Sequence, residues 1–259
     1  MLKTPCHIVS DLHLGVATPQ TERLFESYLS AIRGEVKSLV INGDLFDFWF
    51  EWKSVIPRRG FRTLAALANL RDSGTEIVYV AGNHDCWGGD VLRDDVGVDY
   101  VAGPWEGEIG KWRVRIEHGD GLREREDRKY RMIRPIMRSP IAIAMFRNLH
   151  PDWATRLATG SSNASRTYTA RDGGAGLRSI ALEQIATNPA LDVIVYGHSH
   201  VAGLERAPSG QVFANAGSWL DAPTYIEIGD DAIELLTWGD SAEGDCLHLA
   251  DRRAQKPLP

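Results

Sequence analysis

The 259-residue chain predicts an α/β fold built on parallel strands joined by crossover helices. Two observations carry that prediction. Short apolar runs alternate with stretches of helical spacing, in the order strand–helix–strand–helix–strand, up to "EIVYV". Five of the strand-like runs then stop in polar clusters, the pattern of an α/β sheet that gathers its chemistry at the carboxyl ends of its strands.

Taken in order, "CHIVS" is the first buried strand. Residues 19–34 follow as a helix, with Leu24, Phe25, Tyr28, Leu29 and Ile32 on one face. The strand "SLVI" precedes a second helix around "RTLAALANLRDS", closed by Gly74, and then "EIVYV". Later, "KWRVRIEHGD", "LDVIVYGHSH" and "QVFANAGSW" each read as a strand running into a polar turn, with "APSG" as a hairpin turn. The C-terminal stretch "GDSAEGDCLHLADRRAQKPLP" has no interpretable pattern and is expected to be a partly ordered tail.

Strand signals vanish between about residues 122 and 188, predicting a helical insert within a single domain spanning 1–259. Residues 123–178 hold twelve Lys or Arg against five Asp or Glu, a balance of +7; with a net charge of −6, the rest of the chain carries −13. Arg131, Arg134, Arg138 and Arg147 are interleaved with Met132, Ile133, Ile136, Met137, Ile141, Ile143, Met145 and Phe146. Such a basic amphipathic stretch suits an anionic substrate with an apolar part, or an anionic membrane surface. A solvated helical face is the plainer alternative. "ATGSSNASR" reads as a loop inside the insert.

The bulk composition, 43% hydrophobic and 25% charged, is that of an ordinary globular protein. The negative net charge speaks against a general nucleic-acid binder. Three cysteines, Cys6, Cys86 and Cys246, lack zinc-type spacing and read as reduced thiols of a cytosolic protein. No signal peptide is expected from "MLKTPCHIVSDLHLG", and the longest apolar run, "PIAIAMF", is too short to span a bilayer.

The polar clusters are "SDLHLG", "NGDLFDFW", "GNHD", "HGD" and "GHSH". Any one alone is a turn or a loop. Together they offer seven donors at strand ends: Asp11, His13, Asp44, Asn83, His118, His198 and His200. Asp11 and His13, like His198 and His200, are two apart and so can face the same side of an extended strand end. Gly43, Gly82, Gly119 and Gly197 allow backbone to approach backbone around a crowded centre. Oxygen and imidazole donors without thiolate suit manganese, iron, zinc or cobalt. Seven donors exceed the need of one ion; with a bridging carboxylate they would serve two divalent cations about 3.5–4 Å apart, the spacing of two-metal phosphoryl-transfer sites.

These five ordered blocks resemble the signature of the calcineurin-like metallophosphoesterases, from Cys6 to about Ser218. The resemblance implies a four-layer α/β/β/α sandwich around two mixed sheets, with the helical insert as a lid. It also implies one cation held by Asp11, His13, Asp44 and His200. A second would be held by Asn83, His118 and His198, with Asp44 bridging. The reaction expected is in-line attack on phosphorus. His84 would stand beside the metal shell as general acid or electrostatic stabiliser, with Asp85 fixing its tautomer. Asp47 would support a ligating histidine, and Asn215 would shape the loop facing the metals. The aromatic run "FDFWFEW" is either core packing or a wall for a base or acyl chain.

More narrowly, "SDLHLG", "GDLFDFWFEW", "HGDGL" followed by "EDRKY", and the insert before "GHSH" look like the bacterial UDP-2,3-diacylglucosamine diphosphatases. Those are cytosolic manganese enzymes of lipid A synthesis that release UMP and an acylated sugar 1-phosphate under a helical lid. By that resemblance the substrate is a phosphorylated, lipid-linked nucleotide sugar, no nucleic acid is involved, and the enzyme is cytoplasmic, touching the inner membrane peripherally. Asp127 and Tyr130 would lie near the substrate. Asn163 and Arg166, on the insert loop, are expected to contact its diphosphate or sugar. One departure stands out: that family usually has "GNRD" where this chain has "GNHD", the form typical of the wider superfamily. The insert favours the diphosphatases, and His84 favours another phosphodiesterase or phosphatase. A non-catalytic scaffold of the same fold is the third reading, and the complete donor set argues against it.

Overall fold

The computed structural model describes residues 1–158 and 172–239, and the backbone of Asp245–Asp251. The strands β1 (Cys6–Val9), β2 (Ser38–Asn42), β3 (Glu76–Val80) and β4 (Asp99–Val101) run parallel. Helices α1 (Pro19–Ala31) and α2 (Phe61–Asp72) make the first two crossovers. On the far side of β1 the sheet continues antiparallel through β10 (Thr224–Ile228), β11 (Ala232–Thr237) and β12 (Asp245–Asp251), giving the order β12-β11-β10-β1-β2-β3-β4. A second sheet has the order β5-β6-β7-β9-β8, formed by β5 (Trp105–Ile109), β6 (Trp112–Ile116), β7 (Val193–Tyr196), β8 (Gly203–Arg206) and β9 (Val212–Asn215).

Side-chain alternation explains why the two sheets stack. Ile8, Val40 and Val78 occupy one row of the first sheet in register and face Val114, Val193, Val195 and Val212 of the second. Their neighbours Val9, Leu39, Ile41, Ile77 and Tyr79 point the other way, onto Phe25, Tyr28 and Leu29 of α1 and Leu64 and Leu67 of α2. On the second sheet, Ile194, Tyr196 and Phe213 face outward onto Leu177, Ala181 and Ile185 of helix α6 (Ala175–Thr187). The layers are therefore α/β/β/α, with a core at each of the three interfaces.

Between β6 and α6 stand, among the described residues, three helical segments: α3 (Arg128–Met137), α4 (Pro140–Arg147) and α5 (151–158). They correspond to only part of the insert expected over 122–188, because α6 belongs to the outer layer. The stretch "PIAIAMF" is α4, opened by Pro140 at its first turn. Asn163, Arg166 and most of "ATGSSNASR" lie outside the described residues.

Two features depart from expectation. The C-terminal stretch was expected to be a tail, yet residues 245–251 form β12 against β11, with a register shift between Leu235 and Leu236. The period-two alternation in "CLHLAD" fits a strand that caps an otherwise open sheet edge. The run "FDFWFEW" is core packing: Phe48, Phe50 and Trp52 form a cluster with Ala154, against which Trp87, Ile143 and Phe146 pack. That cluster attaches α4 and α5 to the body.

Candidate metal centre

The carboxyl ends of β1, β2, β3, β6 and β7 converge, and the turns after them carry Asp11, Asp44, Asn83, His118 and His198. Three overlapping groups result: Asp11, His13 and His200; His13, Asp44 and His84; and Asp44, His118 and His198, each with its donor atoms within 4.8 Å of one another. Asp11 Oδ1 lies 3.3 Å from His200 Nε2 and 3.9 Å from His118 Nε2. Asp44 Oδ2 is 3.2 Å from His118 Nε2 and 3.9 Å from both His13 Nε2 and His84 Nε2. Asp44 thus stands in the middle, where a bridging carboxylate belongs.

The donor set fits divalent cations on its own chemistry. Asp11 Oδ1, Asn83 Oδ1 and His118 Nε2 are buried with no hydrogen-bond partner, an arrangement that costs free energy unless something electrophilic sits between them. His118 donates Nδ1–H to the Asn42 carbonyl at 2.9 Å, which leaves Nε2 facing Asp44. His198 Nε2 faces Asp127 Oδ1 at 3.4 Å, which leaves Nδ1 as its free donor.

Backbone strain is concentrated at the same place. Asp11, His13, Asp44, His198 and His200 have φ between 48° and 60°, and among the described residues no other non-glycine residue has positive φ. A left-handed conformation costs a side-chain-bearing residue free energy, so it persists where the surroundings demand it. Here the strands must turn sharply at their ends to aim their side chains inward. Glycine makes the close approach: a Cβ on Gly43 would fall 2.4 Å from His118 Nδ1.

Charge follows from geometry. Burial alone would raise Asp11, but the His118 and His200 imidazoles outweigh it and hold the carboxyl at about 2. Asp44 is likewise held well below the usual carboxylate range, against burial, by His118 and His84. His118 is pushed well above the ordinary histidine value because Asp44 and Asp11 outweigh its desolvation. Burial and the Asp44 charge push Asp85 up to about 6.

Several expected roles change. Asp85 does not touch the His84 ring. Its carboxylate accepts the Tyr79 hydroxyl at 2.5 Å and the Gly82 amide at 2.8 Å, so it ties the turn to β3. The contact that sets the His84 tautomer comes from the Asp47 carbonyl, which accepts Nδ1–H at 2.9 Å and leaves Nε2 facing the site. Asp127 is 5% exposed, and both its oxygens face protein donors. Oδ1 takes Arg123 at 2.8 Å, and Oδ2 takes the Gly121 and Arg123 amides at 3.1 and 3.0 Å. Tyr130 packs over Gly121 beside it. Asn215 bonds the Gly197 carbonyl at 2.9 Å and Ser199 Oγ at 3.1 Å, shaping the turn that carries His198 and His200. Arg123, which sequence reasoning passed over, is buried beside the centre.

The family model for calcineurin-like phosphoesterases matches residues 4–202, spanning all seven donors. The chain belongs to that family. As a calcineurin-like phosphoesterase it is a hydrolase of phosphoesters, and its family implies divalent metal ions. This phosphoesterase is 32% identical over 221 residues to the UDP-2,3-diacylglucosamine hydrolase of Porphyromonas gingivalis, covering 77% of this chain and 84% of that one. It is 31% identical over 205 residues to the protein of the same name from Bordetella pertussis, covering 77% and 78% of the two chains. A Pseudomonas fluorescens protein, again of that name, is 26% identical over 245 residues, covering 89% and 94%.

Proposed function

We propose that this phosphoesterase cleaves the diphosphate of UDP-2,3-diacylglucosamine, giving UMP and the acylated sugar 1-phosphate. The observation that carries the reading is an apolar, basic insert anchored beside the metal centre. Met132, Ile136, Ile141, Met145 and Trp153 are each at least 65% exposed. Side chains of that kind are normally buried, so five of them exposed on three successive helices mark an interaction surface. An acylated, anionic substrate offers both a greasy part for them and charge for the neighbouring arginines.

In this reading Asp11, His13, Asp44 and His200 hold one cation, and Asn83, His118, His198 and the shared Asp44 hold the other. When bound, the two ions, manganese in this proposal, neutralise phosphoryl charge and make water a better nucleophile at neutral pH. His84, fixed by the Asp47 carbonyl, presents Nε2 to the leaving phosphate oxygen as its general acid. Tyr130, Asn163 and Arg166 are the proposed contacts to sugar and diphosphate. The insert excludes water from the reacting phosphate and meets the inner membrane peripherally from the cytoplasm. Among the described residues, no helix is long and apolar enough to cross a membrane.

The test is incubation of the purified protein with manganese and UDP-2,3-diacylglucosamine, with UMP as the readout. Release of UMP supports the reading. Hydrolysis of a model phosphodiester without UMP would instead support a phosphoesterase of different substrate, the reading that His84 in place of the diphosphatases' arginine favours.

A further inference from the structure

Among the buried charged groups outside the donor set, one guanidinium sits where the insert leaves and rejoins the body. Arg123, five residues after His118, is 2% exposed, and an arginine so buried is sustained only by paired partners. Its Nη2 and Nε donate to Asp127 Oδ1 at 2.8 and 3.2 Å, and its Nη1 faces Asp172 Oδ1 at 3.3 Å. Asp172 accepts the Gly174 and Gly176 amides at the start of α6, at 3.0 and 2.9 Å. A Cβ on Gly176 would stand 3.0 Å from Arg123 Cδ, so this helix start is built to admit the arginine. Asp127, held on three sides, has Oδ1 left facing His198 Nε2 at 3.4 Å.

We propose that Arg123 is a positioning residue for His198: by fixing Asp127 it keeps the imidazole proton on Nε2 and the Nδ1 lone pair free for a divalent cation. The inference rests on the metal-centre reading above. A histidine offers a metal only the nitrogen that carries no proton, and the partner of the other nitrogen decides which one that is. Asp127 is that partner, and it is buried. Without the Arg123 guanidinium it keeps only the Gly121 and Arg123 amides on Oδ2, and Oδ1 is free to rotate away from His198. His198 then loses its acceptor and its ring is free to turn. The planar fork of arginine matters here, because lysine cannot make the same two bonds to one oxygen while reaching Asp172.

The experiment uses the full chain, stripped of metal and titrated with manganese, with free ion followed by electron paramagnetic resonance and thermal unfolding recorded for each variant. The wild type is expected to bind two ions. Arg123→Gln should weaken one of the two sites by about 10–100-fold and leave the other intact. Asp127→Asn should do the same, and the double variant should be no weaker than either single one, because both act through a single contact. Arg178→Gln, which breaks the exposed pair of α6 with Glu205 and touches neither Arg123 nor Asp127, should leave both affinities unchanged. Should Arg123→Gln fail to fold, Arg123→Lys keeps the charge, and a selective loss at one site is again expected. Wild-type affinity in the Arg123 variants would overturn the proposal, as would additive losses in the double variant or an equal loss in Arg178→Gln. A wild type that binds no manganese would instead overturn the metal-centre reading itself.

Discussion

Gly82 lies directly against Asp44: a Cβ added to Gly82 would stand 2.2 Å from Asp44 Oδ1 and 2.7 Å from the Asp44 amide nitrogen. Asp44 Oδ1 in turn accepts the His84 amide at 2.9 Å, so the turns after β2 and β3 are locked face to face. Gly82→Ala is therefore expected to displace Asp44, lowering stability by about 1–3 kcal/mol and lowering metal content together. Urea unfolding and metal analysis check both. Gly103→Ala, where no heavy atom lies within 4 Å, should leave both unchanged.

His84→Ala should separate catalysis from metal binding. The ring stands 3.9 Å from Asp44 Oδ2 through Nε2 and is anchored by the Asp47 carbonyl, beside the donor set. Turnover should fall by about 10²–10⁴-fold, the usual worth of a positioned acid, with metal content near normal. An equal fall in both would make His84 a ligand.

The difference between Asp47 and Asp85 in this site shows where sequence reasoning stops. The layer order comes from the family resemblance. The strand ends and the polar clusters that close them follow from local signals, because burial alternates along a strand and polar residues at its end have few structural uses. Which group holds the His84 ring does not, because the Asp47 contact is made by a backbone carbonyl and any residue type carries one. Arg123 was hidden for a related reason. In a segment with twelve basic residues, nothing local separates the one that is buried from those in solvent. Strands β10 and β11 are short and follow ordinary turns, and β12 reads as a strand only once β11 offers it an edge.

Asp44→Ala removes the carboxylate common to two of the three donor groups and strips His118 of its ion partner at 3.2 Å. Turnover is expected to fall to background, with the protein retaining less than its full complement of metal by elemental analysis. Near-normal turnover and metal content would refute the dinuclear arrangement.

Cys86 offers a test of burial beside the centre. Desolvation pushes its thiol up to about 12, with Arg138 opposing and Asp85 adding to the shift. A raised folded value favours the thiol over the thiolate, so native Cys86 stays protonated as pH passes the ordinary cysteine value and ionises only near its own. At pH 8 its alkylation should be slower in the native protein than in urea by about 10³-fold, the ratio of thiolate fractions. Peptide mapping after iodoacetamide measures it. The same sign means that this residue's contribution to stability is complete below about pH 8.5 and is lost as pH rises toward 12.

The attachment of the insert can be tested through Phe146 of α4. Its ring lies 4.9 Å from Phe50 and stacks on Trp87 at 6.0 Å, while Trp87 Nε1 donates to the Met137 carbonyl of α3 at 2.9 Å. These contacts hold the apolar side chains of the insert beside the metal centre without entering it. Phe146→Ala should therefore spare the chemistry and weaken the grip on an acylated substrate. Loss of aromatic pairs worth together about 1.4 kcal/mol predicts about a tenfold fall in kcat/KM for UDP-2,3-diacylglucosamine, carried by KM. Hydrolysis of a small model diester, which has no acyl chain to seat, should be unaffected. An equal fall on both substrates would mean that the insert acts by shaping the metal centre, and that its exposed apolar face has no part in holding substrate.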